Sequence, residues 1–465
     1  MSMELPPVVE HPRLTVVGTG YLGATHAVCM AILGYEVLGL DVDEKKVRQL
    51  NSGVVPFFEP GLPEKLQEAL GSGRLRFTTD YDDAAAFGDV HFICVGTPQT
   101  SGSAAADMTY VDSAFSELAR RITSRSLLVG KSTVPTGTAA RLTETVRSLS
   151  PAGAALEVAW NPEFLREGFA VKDTLHPDRL VFGVESDWAQ AQLEAAFAPI
   201  IAEGTPVVVS DLATSELVKV AANSFLATKI SFINAMAEVC EATGADVSLL
   251  AQALSLDSRI GGRFLNPGLG FGGGCLPKDI RAFTHRADEL GVGQATAFLR
   301  EVDGINDRRR TRAVDVLREL VGGDLRGARI ACLGAAFKPN SDDVRDAPAL
   351  HVAQLLHDEG ARVAVYDPEA MPNARRKYPE LSYADSAEEA VERADAVALL
   401  TEWQEFRDAD PAALGALVTH RRLLDARHAL DADTYRAAGW EVRALGRPKQ
   451  SRPLTLVSRT PDGRD

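Results

Sequence analysis

Apolar and polar positions along the first part of the chain alternate in two different periods. Short apolar runs predict strands, and the stretches between them have the spacing of amphipathic helices. The first helix is predicted over residues 24–33, soon after the first run. The runs that predict strands are residues 13–17, 36–40, 89–95, 126–130, 156–160, 179–184 and 206–209. Strands that alternate with helices in this way are typical of a doubly wound parallel sheet.

The pattern changes at residue 212. Residues 212–243 contain neither Gly nor Pro and carry mainly apolar side chains at helical spacing, which predicts one long, mostly buried helix. Such a helix can join two domains and can supply a dimer face. After a Gly-bearing loop at 322–327, the strand and helix alternation returns, with a helix over 347–359. The strands predicted there are residues 329–333, 362–366, 395–400 and 422–424.

We therefore predict an α/β protein in which two doubly wound, Rossmann-like domains are joined by a central, mostly helical region with one long helix. A length of 465 residues fits several domains of ordinary size. The predicted divisions are a loose leader at 1–12, a first sheet domain at 13–211, the central region at 212–323, a second sheet domain at 324–446 and a disordered tail at 447–465.

Composition narrows the classes of function. A hydrophobic content of 45% and a charged content of 24% are those of a globular protein. The net charge of −15 argues against nucleic acid or an anionic membrane as the main partner, but a local basic site can still bind a small anion. Five widely spaced cysteines without a C-x-x-C pair indicate a reducing, cytoplasmic location and no structural metal. We expect neither a signal peptide nor a membrane span.

A dinucleotide-binding fingerprint follows the first predicted strand. The segment Gly18-Thr-Gly-Tyr-Leu-Gly23 stands between that strand and a helix, and the next strand ends on Asp41. Glycines at these positions permit a tight turn and let a pyrophosphate approach the helix N-terminus. An acidic residue about 20 positions on binds ribose hydroxyls and repels a 2′-phosphate. The motif therefore predicts NAD rather than NADP as the cofactor.

A glycine-rich segment leads into a lone cysteine. The segment is Phe264-Leu-Asn-Pro-Gly-Leu-Gly-Phe-Gly-Gly-Gly-Cys-Leu-Pro-Lys-Asp279. Pro277 suits the first turn of a helix, so we place Cys275 at a helix N-terminus, where the helix dipole would lower the pKa of the thiol. Asp279 would share the helix face of Cys275. The alternative is a buried structural cysteine beside a packing loop.

Further polar residues follow predicted strands, at the sheet edge where ligands bind in doubly wound folds. Thr97 follows the strand at 89–95, and Thr133 follows the strand at 126–130. Glu163 and Glu167, after the strand at 156–160, are candidate acid/base or binding carboxylates. They could equally be a solvated or helix-capping pair.

Two lysines suggest anionic ligands. Lys219 and Asn223 lie four residues apart on the predicted long helix, and a cation beside an amide could stabilise an oxyanion, although a plain surface pair is the common alternative. In the second sheet domain, Gly334-Ala-Ala-Phe-Lys338 replaces the glycine fingerprint, so Lys338 could neutralise the phosphate of a different nucleotide.

Taken in order, these motifs resemble the nucleotide-sugar 6-dehydrogenases of the UDP-glucose/GDP-mannose dehydrogenase family. The resemblance covers residues 13–445 and includes Ser132-Thr-Val-Pro135 and Asn161-Pro-Glu-Phe-Leu165. It implies an N-terminal NAD domain, a central dimerisation region and a C-terminal sugar-nucleotide domain. It also implies two oxidations of a sugar C6 alcohol, taking UDP-glucose to UDP-glucuronate through a thiohemiacetal and a thioester on Cys275.

The resemblance also implies roles for individual residues. The implied catalytic residues are Cys275, Lys219, Asn223, Asp279, Glu163 and Thr133. The implied cofactor contacts are Gly18, Gly20, Tyr21, Leu22, Gly23, Asp41, Lys46, Thr97, Thr133, Glu167, Lys278 and Arg345. The implied substrate contacts are Glu163, Phe164, Leu165, Glu167, Lys219, Asn223, Arg259, Phe264, Leu265, Asn266, Gly268, Gly272, Lys338 and Arg427. The implied assembly is a homodimer or a larger oligomer, with Arg259 reaching across the dimer.

The sequence departs from the family pattern near its end. Asp425-Ala-Arg-His428 stands where the family usually has Asp-Gly-Arg-Asn, so Arg427 is our choice for the sugar-binding arginine, with residues 421–422 as rivals. Gly274 stands where many relatives have Ser.

Several functions remain open. The same chemistry on TDP-glucose, GDP-mannose or a UDP-N-acetylhexosamine is the nearest alternative. A single-step 3-hydroxyacid dehydrogenase is an alternative of another class, although it would need neither Cys275 nor a second sheet domain. A non-catalytic nucleotide-binding protein would leave the set of polar residues unexplained.

Overall fold

The computed structural model describes residues 8–448. The other residues of the predicted leader and tail, 1–7 and 449–465, lie outside the described part. The described chain forms two compact units. The first unit contains the chain up to Phe225, Cys275–Arg300 and Asn340–Asp342, and the second unit contains Leu226–Gly274, Glu301–Pro339 and the chain from Asp343 onward. The finer domain boundaries given above stay a prediction.

An eight-stranded sheet forms the centre of the first unit. Its strands are β1 (Leu14–Val17), β2 (Val37–Leu40), β3 (Leu75–Thr78), β4 (Val90–Ile93), β5 (Ser126–Gly130), β6 (Leu156–Trp160), β7 (Leu180–Gly183) and β8 (Val207–Ser210). They lie in the order β3-β2-β1-β4-β5-β6-β7-β8, and neighbouring strands are parallel except β6 and β7. The strand order reverses beside β1, which confirms the doubly wound prediction and places a ligand crevice at the carboxyl ends of β1 and β4.

The central strands of this sheet are buried on both faces. Successive residues of β1 point to opposite faces, so Val16 belongs to one hydrophobic core and Val17 to another. This is why β1 is a continuous apolar run rather than an alternating one. Helices cover both faces, and loops at the carboxyl ends of the strands carry the polar residues.

The chain up to residue 321 also contains fourteen described helices. They are α1 (Tyr21–Ile32), α2 (Glu44–Asn51), α3 (Leu62–Gly71), α4 (Tyr81–Phe87), α5 (Thr109–Ala119), α6 (Thr138–Leu149), α7 (Ala170–Leu175), α8 (Asp187–Ala196), α9 (Ala198–Ala202), α10 (Leu212–Thr243), α11 (Val247–Ser255), α12 (Leu276–Glu289), α13 (Gly293–Thr296) and α14 (Phe298–Val321). A 3-10 turn covers Gly153–Ala155.

The long helix α10 begins and ends where the sequence predicts. The prediction that it is mostly buried is confirmed only in part. Most residues of α10 are buried or half-buried, whereas Leu217, Phe225, Phe232 and Val239 are exposed in the single chain. An apolar helical pattern predicts that one face of the helix is buried, but it does not show whether the residues that bury it belong to the same chain.

The second unit contains a second doubly wound sheet, as predicted. Its six parallel strands lie in the order β11-β10-β9-β12-β13-β14. These strands are β9 (Arg329–Leu333), β10 (Arg362–Tyr366), β11 (Ser382–Tyr383), β12 (Ala396–Leu399), β13 (Arg422–Asp425) and β14 (Glu441–Ala444). The accompanying helices are α15 (Pro348–Asp358), α16 (Met371–Lys377), α17 (Ala387–Val391), α18 (Gln404–Arg407), α19 (Pro411–Leu417) and α20 (Ala432–Ala437).

Candidate active site

Each glycine of the loop between β1 and α1 is explained by a different structural requirement. Gly18 has a φ of 87°, in the left-handed region that favours glycine. A Cβ at Gly23 would lie 1.9 Å from the carbonyl oxygen of Gly18. A Cβ at Gly20 would meet no protein atom within 4 Å. The space at Gly20, beside the N-terminus of α1, is therefore open for the pyrophosphate that this motif binds.

Asp41, directly after β2, is a buried carboxylate. Its Oδ2 accepts hydrogen bonds from the backbone N–H and the hydroxyl of Thr19 at 2.8 and 3.1 Å, and from the Lys46 ammonium at 2.8 Å. Burial alone would raise the pKa of Asp41, but Lys46 and the backbone N–H of Asp43 hold it below its usual value. Asp41 is therefore ionised at neutral pH, as a hydrogen-bond acceptor for ribose hydroxyls must be. The loop and Asp41 together fit a dinucleotide.

A polar cluster lies beyond the carboxyl ends of β4 and β5. The Thr97 hydroxyl donates to the carbonyl oxygen of Thr133 at 2.9 Å, and the Lys278 ammonium donates to the Thr97 hydroxyl at 3.3 Å. Thr133 and Lys278 also line a small cleft together with Asp279 and Phe283. The structure thus brings together three residues that the sequence analysis assigned to the cofactor.

Tyr21, the first residue of α1, is fixed by a buried carboxylate. Its hydroxyl donates to Glu59, which also accepts the backbone N–H of Gly168 at 2.7 Å. Burial and the Glu59 carboxylate raise the pKa of Tyr21, so its phenol stays protonated. Next to Gly168, the Glu167 carboxylate accepts the Ser341 hydroxyl at 3.0 Å. Glu59 therefore links the dinucleotide loop to the segment that carries Glu167.

Cys275 immediately precedes α12, and Pro277 lies in the first turn, as predicted. The backbone N–H of Asp279 donates to the Cys275 carbonyl oxygen at 2.9 Å. The Asp279 carboxylate is buried, accepts the Asn223 side-chain N–H at 2.6 Å and lies 2.8 Å from the Lys278 ammonium. Because Asn223 belongs to α10 and Lys278 to α12, Asp279 ties both helices together beside the cysteine.

The prediction that the pKa of the Cys275 thiol is lowered is wrong. The residue is exposed to solvent, yet desolvation by the surrounding protein raises the pKa of its thiol. Lys219 opposes that rise, whereas the carboxylates of Asp279 and Glu167 add to it. A helix N-terminus carries only about half a positive charge, and here it does not offset the loss of hydration.

The loop after β6 carries the next group of predicted residues. The Lys219 ammonium lies 5.4 Å from the centre of the Phe164 ring. The Glu163 carboxylate lies 3.2 Å from the Lys131 ammonium and accepts the backbone N–H groups of Phe164 and Leu165 at 2.8 and 2.9 Å. Burial alone would raise the pKa of Glu163, but Lys131 and these N–H groups hold it below its usual value.

In the second unit, the glycine run packs against the protein itself. A Cβ at Gly270 would lie 2.0 Å from Oδ1 of Asn306, and a Cβ at Gly272 would lie 2.4 Å from the carbonyl oxygen of Asp346. Asn306 also accepts the Phe271 N–H at 2.7 Å and donates to the Phe271 carbonyl at 2.9 Å. Close packing therefore requires glycine here, independently of any ligand.

The guanidinium of Arg427 donates to three backbone carbonyls of the second unit. These belong to Leu400, Gly270 and Phe337, at 2.7, 3.3 and 3.2 Å. Arg427 follows the carboxyl end of β13, whereas its rivals at 421–422 lie at the opposite end of that strand. This position favours Arg427, since ligands bind at carboxyl ends.

The other predicted substrate contacts of the second unit differ in burial and in their partners. Phe264 has a φ of 66°, which is a strained value for an aromatic residue, and Leu265 beside it is buried. Arg259 is exposed and pairs with Asp257 at 2.6 Å. Of the rest, Asn266 is exposed, Gly268 is buried, and Lys338 is half-buried with its ammonium 5.2 Å from the Phe337 ring. Arg345, which is predicted as a cofactor contact, is exposed and pairs with Asp343 at 2.7 Å.

Comparison with known proteins identifies the family. The chain matches the UDP-glucose/GDP-mannose dehydrogenase family in its NAD binding domain at residues 12–201, its central domain at 213–308 and its UDP binding domain at 331–432. This chain belongs to the UDP-glucose/GDP-mannose dehydrogenase family. It is therefore an oxidoreductase that uses NAD, and its UDP binding domain indicates a nucleotide-sugar substrate.

Individual relatives cover nearly the whole chain. It is 41% identical to the UDP-glucose 6-dehydrogenase of Rhizobium meliloti (strain 1021), over 94% of this chain and 100% of the relative. The structure of a UDP-glucose dehydrogenase from the archaeon Pyrobaculum islandicum matches with a TM-score of 0.85 and 37% identity, over 94% of this chain and 100% of that one. A UDP-D-ManNAc dehydrogenase from Pyrococcus horikoshii matches with a TM-score of 0.82 and 27% identity, over the same shares.

The sequence analysis assigned no role to several residues that support the site. The main ones are three buried polar side chains. Lys131 and Glu59 contact the predicted site residues Glu163 and Tyr21, and Asn306 holds Phe271 in the glycine-rich segment. Only Lys131 gave a signal, because it follows a strand at the same sheet edge as Thr133.

Residues 8–448 contain neither a membrane-spanning helix nor a metal-binding cluster. No helix in that range is long and apolar enough to cross a bilayer. The same range contains no group of three or more His, Cys, Asp or Glu side chains that could hold a metal ion.

Proposed function

We propose that this protein oxidises the C6 alcohol of UDP-glucose twice, to UDP-glucuronate, with Cys275 as the nucleophile. The observation that carries the proposal is the cluster around Cys275 in the first unit. There the Asp279 carboxylate joins Asn223 and Lys278, and Lys219 is the main cationic influence on the thiol. A cysteine with these neighbours suits capture of an aldehyde, which a one-step alcohol dehydrogenase does not need.

The cofactor site is proposed to lie at the glycine loop. NAD+ bound there would supply the hydride acceptor for each oxidation. The ionised Asp41 would accept hydrogen bonds from ribose hydroxyls, and the open space at Gly20 would admit the pyrophosphate. The remaining contacts proposed for the cofactor are Gly18, Tyr21, Leu22, Gly23, Lys46, Thr97, Thr133, Glu167, Lys278 and Arg345.

In the first oxidation the C6 alcohol loses a proton and a hydride and becomes an aldehyde. Lys219 and Asn223 are proposed to stabilise the negative charge that develops on the C6 oxygen, through the ammonium and one amide N–H. Asp279 orients that amide, because it already accepts the other amide hydrogen at 2.6 Å. The Cys275 sulfur then bonds to C6 and the thiol proton is transferred, giving a thiohemiacetal.

In the second oxidation the thiohemiacetal loses a hydride and a proton and becomes a thioester. Water then attacks the thioester carbonyl, the C–S bond breaks, and the thiol is restored. Glu163, Thr133 and Asp279 are proposed to serve this water and its protons. Glu163 is suited to accept a proton, because its carboxyl is ionised at neutral pH.

The choice of UDP-glucose rests on the relatives. The relatives named for UDP-glucose are 41% and 37% identical, whereas the one named for UDP-D-ManNAc is 27% identical. The proposed substrate contacts are those implied in the sequence analysis, with Arg427 preferred over residues 421–422. GDP-mannose, TDP-glucose and UDP-N-acetylhexosamines remain alternatives for the same chemistry.

Assembly and location are further parts of the proposal. The exposed apolar side chains of α10 support a homodimer, because an exposed apolar patch of this kind marks an interface. Arg259, which is exposed and pairs with Asp257 of its own chain, would then reach the partner's substrate site. The cytoplasmic location rests on the reducing environment that the free cysteines favour.

The test is a panel of nucleotide sugars with measurement of NADH formed per substrate consumed. We expect two NADH per UDP-glucose, and a Cys275→Ala variant that binds NAD and substrate but forms no acid. Cys240→Ala, at a buried cysteine, is the control and should leave the stoichiometry unchanged. One NADH per substrate would favour a single-step dehydrogenase, and acid formation by Cys275→Ala would refute the thioester route.

A further inference from the structure

We propose that Lys131 is a positioning residue for Glu163, which it holds in place as a carboxylate beside the active site. The inference rests on the proposed function, in which Glu163 serves the water that attacks the thioester. Neither the sequence motifs nor the comparisons assign a role to Lys131. Both residues follow strands of the eight-stranded sheet.

Lys131 and Asn161 emerge side by side from neighbouring parallel strands. Lys131 follows β5, Asn161 follows β6, and Gly130 pairs with Trp160 at the ends of those strands. The Lys131 ammonium donates to the Asn161 side-chain oxygen at 2.8 Å. The amide N–H of Asn161 in turn donates to the Val181 carbonyl at 2.9 Å. This chain of hydrogen bonds fixes where the ammonium lies.

The ammonium then fixes Glu163. Oε2 of Glu163 lies 3.2 Å from the Lys131 nitrogen, while Oε1 accepts the backbone N–H groups of Phe164 and Leu165. Both carboxylate oxygens are therefore held, one by a side chain from β5 and one by the loop itself. The Lys131 side chain is only 4% exposed, so water screens this pair weakly.

Three titratable neighbours of the pair, His26, Cys29 and Cys94, are neutral at pH 7. Burial and the charge of Lys131 lower the pKa of His26, and burial raises the pKa of Cys29 and Cys94 to about 12. Phe92 and Phe197 complete the surroundings, with ring centres 5.9 and 5.7 Å from the ammonium. Among these groups, Lys131 is therefore the cation that compensates the charge of Glu163.

Removing Lys131 should change the protonation of Glu163. Burial alone favours the neutral acid, and the lysine is the largest influence that opposes it. Without the lysine, Glu163 would be protonated at a higher pH and could not accept a proton from water there. The pH below which kcat falls should therefore be higher in the variant than in the wild type.

The experiment compares kcat across the pH range for wild type, Lys131→Met, Glu163→Gln and the double variant. In Lys131→Met we expect kcat at pH 6 to fall about tenfold or more relative to wild type, with a much smaller loss at pH 8.5. Lys172→Met, at an exposed lysine of α7, is the control and should keep the wild-type profile. An equal loss at every pH would assign Lys131 a structural role only.

The double variant keeps the test decisive if Lys131→Met folds poorly, because it removes both charges of the buried pair together. If Lys131 acts through Glu163, the kcat of the double variant should equal that of Glu163→Gln alone. A kcat lowered by the product of the two single-variant losses would overturn the proposal. A readout without turnover is the carbon-13 carboxyl resonance of Glu163, identified by its absence in Glu163→Gln. It should titrate at higher pH in Lys131→Met, and an unchanged titration would also overturn the proposal.

One NADH per substrate in the wild type would refute the proposed function instead.

Discussion

Replacing Gly23 with alanine tests whether the third glycine of the dinucleotide loop serves packing rather than the cofactor. A Cβ at this position would lie 1.9 Å from the carbonyl oxygen of Gly18 and 3.0 Å from Cβ of Cys94. Neither neighbour is the end of a flexible side chain. Helix α1 would therefore have to move away from β1, although most of α1 is buried against the sheet.

The magnitude follows from two opposing effects. Alanine is about 1 kcal/mol more favourable than glycine inside a helix. Overpacking costs about 1–3 kcal/mol, and a contact this short with backbone belongs at the upper end of that range, about 3 kcal/mol. The net loss in the free energy of unfolding is therefore about 2 kcal/mol, which lowers the Tm of a unit of this size by about 4–8 °C.

Gly20→Ala is the matched variant in the same loop. Its φ of −70° suits alanine, and the added Cβ meets no protein atom within 4 Å. We therefore expect a Tm change of at most about 2–3 °C, from the weaker N-cap alone. The methyl group would instead enter the space proposed for the pyrophosphate. Loss of one hydrogen bond to a charged group would weaken NAD binding about 10- to 150-fold.

The assay is thermal unfolding without ligand, followed by titration of NAD in the folded protein. The expected result is a reciprocal pair: Gly23→Ala loses stability, and Gly20→Ala loses cofactor affinity. A Gly23→Ala variant as stable as wild type would refute the packing argument. Wild-type NAD affinity in Gly20→Ala would refute the placement of the pyrophosphate.

Three further changes test other parts of the structure. Burial lowers the pKa of His91 to about 4, so the unfolded chain takes up a proton near pH 6.5 that the folded one excludes, and stability falls as the pH drops between these values. Between pH 7 and pH 4 this effect should lower the free energy of unfolding of the wild type by up to about 3 kcal/mol, and His91→Leu should not show it. Urea unfolding measures this, and an equal loss in wild type and variant would contradict the expectation. Lys219→Met should move alkylation of Cys275 by iodoacetamide to higher pH, since Lys219 opposes the raised pKa of the thiol, whereas Lys278→Met should move it less. Asn306→Ala removes both hydrogen bonds to Phe271, so it should raise the KM for the nucleotide sugar more than it changes kcat, and a loss confined to kcat would contradict that expectation.

The fold could be predicted from the sequence because the apolar runs coincide with the strands of the two sheets. The predicted strands match β5, β6, β9 and β10 residue for residue. The clearest case is β5, which is buried along its whole length, because a strand covered on both faces is a continuous apolar run. The strands that were missed lie near sheet edges. In β3, Arg76 is exposed between two buried residues, and β14 starts at an exposed Glu441. A half-exposed edge strand carries a weaker apolar signal than a central one.

The site was predicted less completely, because its support depends on contacts distant in sequence. Glu59 reaches Gly168 across 109 positions, and Lys131 reaches Asn161 across 30. The periodicity of apolar residues in a sequence does not predict which buried cation pairs with which carboxylate. The direction of the thiol pKa was predicted wrongly for a related reason: the helix end is visible in the sequence, whereas the atoms that desolvate Cys275 are not.

The raised pKa of the Cys275 thiol is compatible with a nucleophilic role once the proton is followed. A thiol and an aldehyde combine without net change of charge, because the sulfur loses the proton that the aldehyde oxygen gains. The step therefore needs proton transfer between sulfur and oxygen more than it needs a standing thiolate. A thiolate of higher pKa is also intrinsically the stronger nucleophile. Desolvation strengthens the pull of Lys219 on whichever atom carries negative charge. The same environment that keeps the free thiol protonated can thus favour the oxyanion in the transition state.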